Sequence, residues 1–263
     1  MKYNLILVYF FFSTILFAAK KERIFISESS KPPSEKEAIL ILPGFGSKIH
    51  GTKQIAEFFF NKGYDVFIPD YIARNSIADC VDNLDKFIAK YKLMGYKNVK
   101  VFSYIVGSWT INTWINKHPE NNIITIVYDR SPLQERAPFA LIKDMPHIIR
   151  LVSGKIMREF SVTAYPPLYD KKINKGIMIE STATKLIIKH KKSALSLGPV
   201  RWDAASLNQT NNDAIYTWLN HDDMYSRFDV IGNEILYFMA NNKFTDGAKR
   251  EPYSDDPFIK HKN

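Results

Sequence analysis

An α/β fold, with a mostly parallel sheet flanked by helices, is what this 263-residue sequence predicts, and three patterns carry the prediction. Short apolar runs of strand length alternate with longer stretches of helical periodicity, joined by turns rich in Gly, Pro and Asp. One of those runs, residues 38–42 (A-I-L-I-L), is apolar without a break, as a strand covered on both faces requires. From Ser76 onward Ile77, Val81, Leu84, Ile88 and Tyr91 recur at spacings of three and four, which puts them on one face of a helix.

Taken in order, the chain opens with a positive residue, an uncharged apolar run over 5–19, and then K-K-E-R. That pattern predicts export, with residues 1–19 as a signal peptide or a retained N-terminal anchor, and a periplasmic or extracellular location. Residues 20–37, with the Pro-interrupted stretch S-E-S-S-K-P-P-S-E-K, read as a linker, and the domain proper as 38–244. Strand 38–42 ends at P-G-F-G-S, a helix over 52–62 closes at Gly63, and strand 64–69 ends at Asp70-Tyr71. After the Ser76 helix, a strand starts at Asn98 and turns into a helix near Ser103. A strand over 123–128 ends at D-R-S-P. Pro138, Pro146, Pro166 and Pro167 break residues 137–170 into short helical pieces. A strand over 176–180, a basic helix over 182–197 and a strand over 214–219 follow, then N-H-D-D-M-Y. Phe228, Ile231, Ile235 and Phe238 give the closing helix its buried stripe. The polar tail, 245–263, reads as loose.

Composition narrows the function. With 46% hydrophobic and 14% aromatic residues the chain can build one sizeable core. The net charge of +9 is scattered among Lys20-Lys21, Lys171-Lys172, Lys189, Lys191-Lys192 and Lys249-Arg250, without the aromatic interleaving of a nucleic-acid surface. It reads as solvated surface, with attraction to an anionic membrane surface as the functional alternative and no nucleic-acid partner. Cys80, the single cysteine, excludes an intrachain disulfide and a thiolate metal cluster, and reads as a small buried helix residue. No cofactor or metal is implied, because the adjacent residues of H-D-D rarely converge on one ion.

The informative stretch is Ser103-Tyr104-Ile105-Val106-Gly107, where small residues stand two places before and two places after a central position at a strand-to-helix turn. Together with L-P-G-F-G-S, F-I-P-D-Y and N-H-D-D-M-Y, in this order and at these separations, it resembles the α/β-hydrolase superfamily, the family of esterases and lipases, across 38–244. The resemblance implies a three-layer sandwich with a small cap over about 137–170. It also implies a strained elbow presenting a serine nucleophile, a histidine base, an acid to orient it and two backbone N–H groups for the oxyanion. By position the base is His221, and the N–H groups belong to Phe45 and Val106. The acid is Glu180, Asp203 or Asp129, unless Asp203 only caps a helix and Asp129 only pairs with Arg130 or Arg136. The nucleophile position holds Ile105, which has no proton to give up and no lone pair to attack with.

Two functions follow. In one, the protein binds a small apolar or acyl-containing ligand, or a partner, without hydrolysis, in a crevice lined by Phe45, Tyr71, Tyr104, Ile105, Asp129 and His221. In the other, it is a working esterase, lipase or thioesterase with Ser108 as a displaced nucleophile. The β-branched Val106 and Thr110 flanking Ser108 crowd such a turn, and Ser108 reads equally well as a hydroxyl capping the helix start.

Overall fold

The structure, a computed structural model, describes residues 22–45, 49–207, 209–254 and 256–258. The expected signal peptide or anchor over 1–19 lies outside them. Among the described residues seven strands form one sheet: β1 (Arg23–Phe25), β2 (Glu37–Leu42), β3 (Asp65–Ile68), β4 (Asn98–Ser103), β5 (Ile123–Arg130), β6 (Asn174–Glu180) and β7 (Asp213–Thr217). Their order is β1-β3-β2-β4-β5-β6-β7, and every pairing is parallel except that of β1 with β3.

The unbroken apolar run of β2 explains the layering. Ile39 and Ile41 point into the layer formed by α1 (Ile49–Phe60) and the closing helix Phe228–Asn241, whereas Leu40 and Leu42 point to the opposite layer. That second layer holds α2 (Ile77–Lys90) and α3 (Ile105–Lys117). Ser76 starts α2 by accepting the Asp79 N–H on its side chain at 3.0 Å. Residues 137–170 form the cap as α4 (Ala137–Asp144), α5 (Pro146–Ser153) and α6 (Ile156–Val162), the first two opening with a proline in the first turn. The basic stretch expected as one helix is two, α7 (Lys185–Lys189) and α8 (Lys191–Leu195), divided at His190, whose Nδ1 lies 2.6 Å from Asp144 of the cap. α9 (Asp223–Ser226) and α10 (Phe228–Asn241) complete the helices of the described residues in order.

Two segments depart from the sequence reading. Residues 20–37 are not all linker, because Arg23–Phe25 adds a strand to the sheet edge. The following turn is tied to the buried Asp65, which accepts from the Ser27 N–H at 2.8 Å and meets Lys36 Nζ at 2.7 Å. The tail is not loose over its described part. The Lys249 carbonyl accepts the Tyr216 N–H at 2.8 Å beside β7, and the Pro257 carbonyl accepts the Ala183 N–H at 2.8 Å. Polar composition concealed both, since the partners are backbone groups and one buried carboxylate. No helix among the described residues is long and apolar enough to cross a membrane.

Candidate functional site

At the carboxyl end of β4, Ser103 closes the strand, Tyr104 is extended at φ −80° and ψ 168°, and Ile105 opens α3. Gly107 is needed at the crossing, since a Cβ there would lie 2.5 Å from the Leu42 carbonyl oxygen. The strain expected at the elbow is absent. The non-glycine residues with positive φ among those described are Glu28, Lys92 and Asn242, and Ile105 begins an ordinary helix. A β-branched side chain is especially costly at positive φ, so an isoleucine here favours the relaxed turn. Val106 is the second residue of α3, where the helix offers its N–H no acceptor. Phe45 follows β2 across the same opening.

The loop after β7 carries His221. Its Nδ1 lies 2.7 Å from Glu180 Oε1, at the end of β6, and 3.6 Å from Asp129 Oδ2, near the end of β5. All three residues are buried. The sequence left Glu180, Asp129 and Asp203 as rival acids. The structure brings the first two to one imidazole and leaves Asp203 elsewhere, exposed and capping the 3₁₀ turn Ala204–Leu207 through the Ser206 N–H at 2.8 Å. Asp129 also lacks its expected arginine. Arg130 grips Glu135 at 2.6 and 3.0 Å, and Arg136 donates to the Ala194, Gly198 and Pro199 carbonyls.

In so dry a place Glu180 and His221 both hold their protons more tightly than in water. Burial raises the Glu180 carboxyl well above its ordinary value, and the neighbouring Asp129 charge raises it further. Burial works against a charged His221, but the Glu180 and Asp129 carboxylates outweigh it and hold the imidazolium well above the usual histidine range. The rings of Tyr104 and Tyr225 meet the imidazole edge to face at 6.1 and 5.9 Å. Asp129, Glu180 and His221 also bring one donor atom each within 4.8 Å of one another, a convergence the H-D-D reading did not foresee. The 2.7 Å separation of Nδ1 and Oε1 is that of a charge-assisted hydrogen bond, which needs no cation to close it.

Ser108 lies away from this chemistry. Its Oγ is 3.0 Å from Ser103 Oγ and donates to the Tyr104 carbonyl at 3.2 Å, so it back-bonds within the helix instead of capping it. Among the described residues no hydrogen bond joins it to His221.

A cleft of about 80 Å³ opens in front of His221, lined chiefly by Phe45, Ile105, Val106, Trp109, Met157 and Phe160. Of the expected lining, Tyr71, Tyr104 and Asp129 stand behind the wall. Tyr71 donates to the Pro43 carbonyl at 2.5 Å, and Tyr104 donates to the Met224 carbonyl at 3.1 Å. Sequence reasoning missed Tyr225, which stacks on Tyr104 at 3.9 Å and accepts the Gly44 N–H at 2.7 Å. Its signal was its place one turn after His221. It also missed Met157 and Phe160, which nothing in the proline-broken cap sequence singles out.

No protein-family model matches the sequence, and no curated protein matches it. Solved structures do. Est1E from Butyrivibrio proteoclasticus superposes with a TM-score of 0.55 at 10% identity, over 84% of this chain and 93% of that one. An α/β-hydrolase fold protein from Chitinophaga pinensis gives 0.53 at 10% identity over 84% and 93%. The α/β-hydrolase domain-containing protein 10 from mouse gives 0.52 at 10% identity over 83% and 92%. The chain therefore has the α/β-hydrolase fold, as its turn sequences suggested.

Proposed function

We propose, for a chain with this fold and an aliphatic residue at its elbow, non-hydrolytic binding of a small acyl-containing or carboxylate ligand in the cleft before His221. The observation that carries the reading is that Ile105 and His221 line one cleft, so the base position faces hydrocarbon. An imidazolium is a hydrogen-bond donor and cannot accept a proton, so the protonated His221 suits an oxygen ligand better than it suits general-base work. In this reading the ligand oxygen sits among the Phe45 and Val106 N–H groups and His221 Nε2, and the short apolar part lies against Ile105, Trp109 and Phe160. The 80 Å³ cleft falls well below the roughly 300–1,000 Å³ of ordinary ligand sites, which selects short chains.

Calorimetric titration of the full chain with acetate, butyrate and octanoate tests this. Saturable binding is expected, strongest for the shortest chains that reach both ends of the cleft, and lost in Ile105→Trp, which fills it. No binding by any of the three, or cleavage of a butyrate ester by the wild type that disappears in Ser108→Ala, would overturn it. Export belongs to the same reading, with the acyl ligand met outside the cytoplasm or at a membrane surface. Deleting residues 1–19 is expected to retain the protein inside the cell, and an unchanged location contradicts export.

A further inference from the structure

On the far side of Glu135 from the His221 cleft lies a second one, of about 330 Å³, that the reading above does not use. Three guanidinium groups border it, those of Arg130, Arg136 and Arg201, against the single carboxylate of Glu135. Arg130 ends β5 and is 1% exposed. Its Nε and Nη2 are held by Glu135, its Nη2 also donates to the Leu207 carbonyl at 3.0 Å, and its plane lies over the Tyr165 ring at 3.8 Å. Its Nη1 is buried and has no hydrogen-bond partner among the described residues.

A buried guanidinium nitrogen without an acceptor is costly, and Arg130 is fixed so firmly by Glu135 and Tyr165 that it cannot turn to find one. The donors of Arg136 are occupied by three carbonyls, so it shapes the wall and adds charge. Arg201 is exposed and lines the same cleft, as does Ser206. We propose that this cleft is an oxyanion-binding site, with a phosphate-class anion received by Arg130 Nη1 and closed over by Arg201. An always-charged guanidinium whose one remaining nitrogen is held in place in advance of binding, in a cleft with excess positive charge, is what such an anion selects. The inference does not depend on the acyl reading, because of its residues only Glu135 also borders the His221 cleft, and Arg130, Arg136 and Arg201 do not.

The test is calorimetric titration of the full chain with inorganic phosphate at constant ionic strength, with chloride as the matched control. Saturable binding is expected, weakened about fivefold or more in Arg201→Ala by loss of one charge-assisted contact, and tightened in Glu135→Gln, which removes the competing carboxylate. Arg130→Lys, which keeps the charge and loses the fork, is expected to abolish it. If that variant does not fold, the Arg201 and Glu135 variants still decide. Butyl phosphate, run in parallel, distinguishes the sources: tighter binding than phosphate marks the anion as the head of a larger ligand, and equal binding marks a free anion. A response no greater than that to chloride, or one unchanged in both Arg201→Ala and Glu135→Gln, overturns the proposal and leaves a buried water as the partner of Nη1.

Discussion

The two sides of the His221 cleft differ in a way that composition alone does not reveal. On the α3 side the turn presents the hydrocarbon Ile105, its backbone is relaxed, and the hydroxyls of Ser103 and Ser108 bond to each other below the surface. On the opposite side there is more than the fold's chemistry requires, with Glu180 and Asp129 both placed on one imidazole. A single carboxylate suffices to orient a histidine. Two of them, fully buried, fix its proton as well as its direction.

Removing the imidazole breaks the crowded side hardest. His221→Ala leaves the buried Asp129–Glu180 pair without its cationic partner, and a loss of about 3–5 kcal/mol is expected near neutral pH by urea unfolding, shrinking as the pH falls and the pair takes up protons. Gly107→Ala attacks the other side through sterics alone, with its Cβ 2.5 Å from the Leu42 carbonyl, and about 1–3 kcal/mol is expected at every pH. A pH-independent loss in His221→Ala would erase the distinction between the two regions.

The pH dependence of the wild type sharpens it. Both Glu180 and His221 bind protons more tightly folded than unfolded, so their contribution is complete below the unfolded values, 4.5 and 6.5, and is lost as pH rises through the folded ones. Stability is therefore expected to fall from pH 4.5 upward through Glu180 and more steeply from pH 6.5 upward as His221 joins it, by at most about 1.4 kcal/mol per pH unit for each group, and more gently in Glu180→Gln. A rise over that range contradicts the protonated cluster. The smallest effect belongs to Ser108→Ala, which removes a buried hydrogen bond to the Ser103 hydroxyl of β4 and one to the Tyr104 carbonyl, at a cost of about 1 kcal/mol, and leaves ligand binding unchanged. Loss of binding there would place Ser108 in the site.

Much of this was legible before any coordinates. The uninterrupted apolar run of β2 and the three-and-four spacing of α2 are consequences of burial on two faces and on one, and they specify the layers directly. His221 and Glu180 were legible because each follows or ends a strand, where the fold collects its polar groups. The convergence of Asp129 with Glu180 was not, since it depends on the parallel register that pairs Asp129 with Met178, two residues before Glu180 in the next strand. The cap's contribution of Met157 and Phe160 was hidden for a similar reason. Proline-broken helices show where they stop but not which face they turn to the sheet. The strand at Arg23–Phe25 is too short to display an alternation.

The central claim is that the elbow presents no nucleophile and that His221 is held protonated. A fluorophosphonate probe addresses it most directly, by covalent labelling of the wild type, Ser108→Ala and Ile105→Ser between neutral and alkaline pH. The account predicts an unlabelled wild type, with labelling gained in Ile105→Ser only as the pH rises far enough to free His221. Labelling of the wild type at neutral pH that disappears in Ser108→Ala would contradict it.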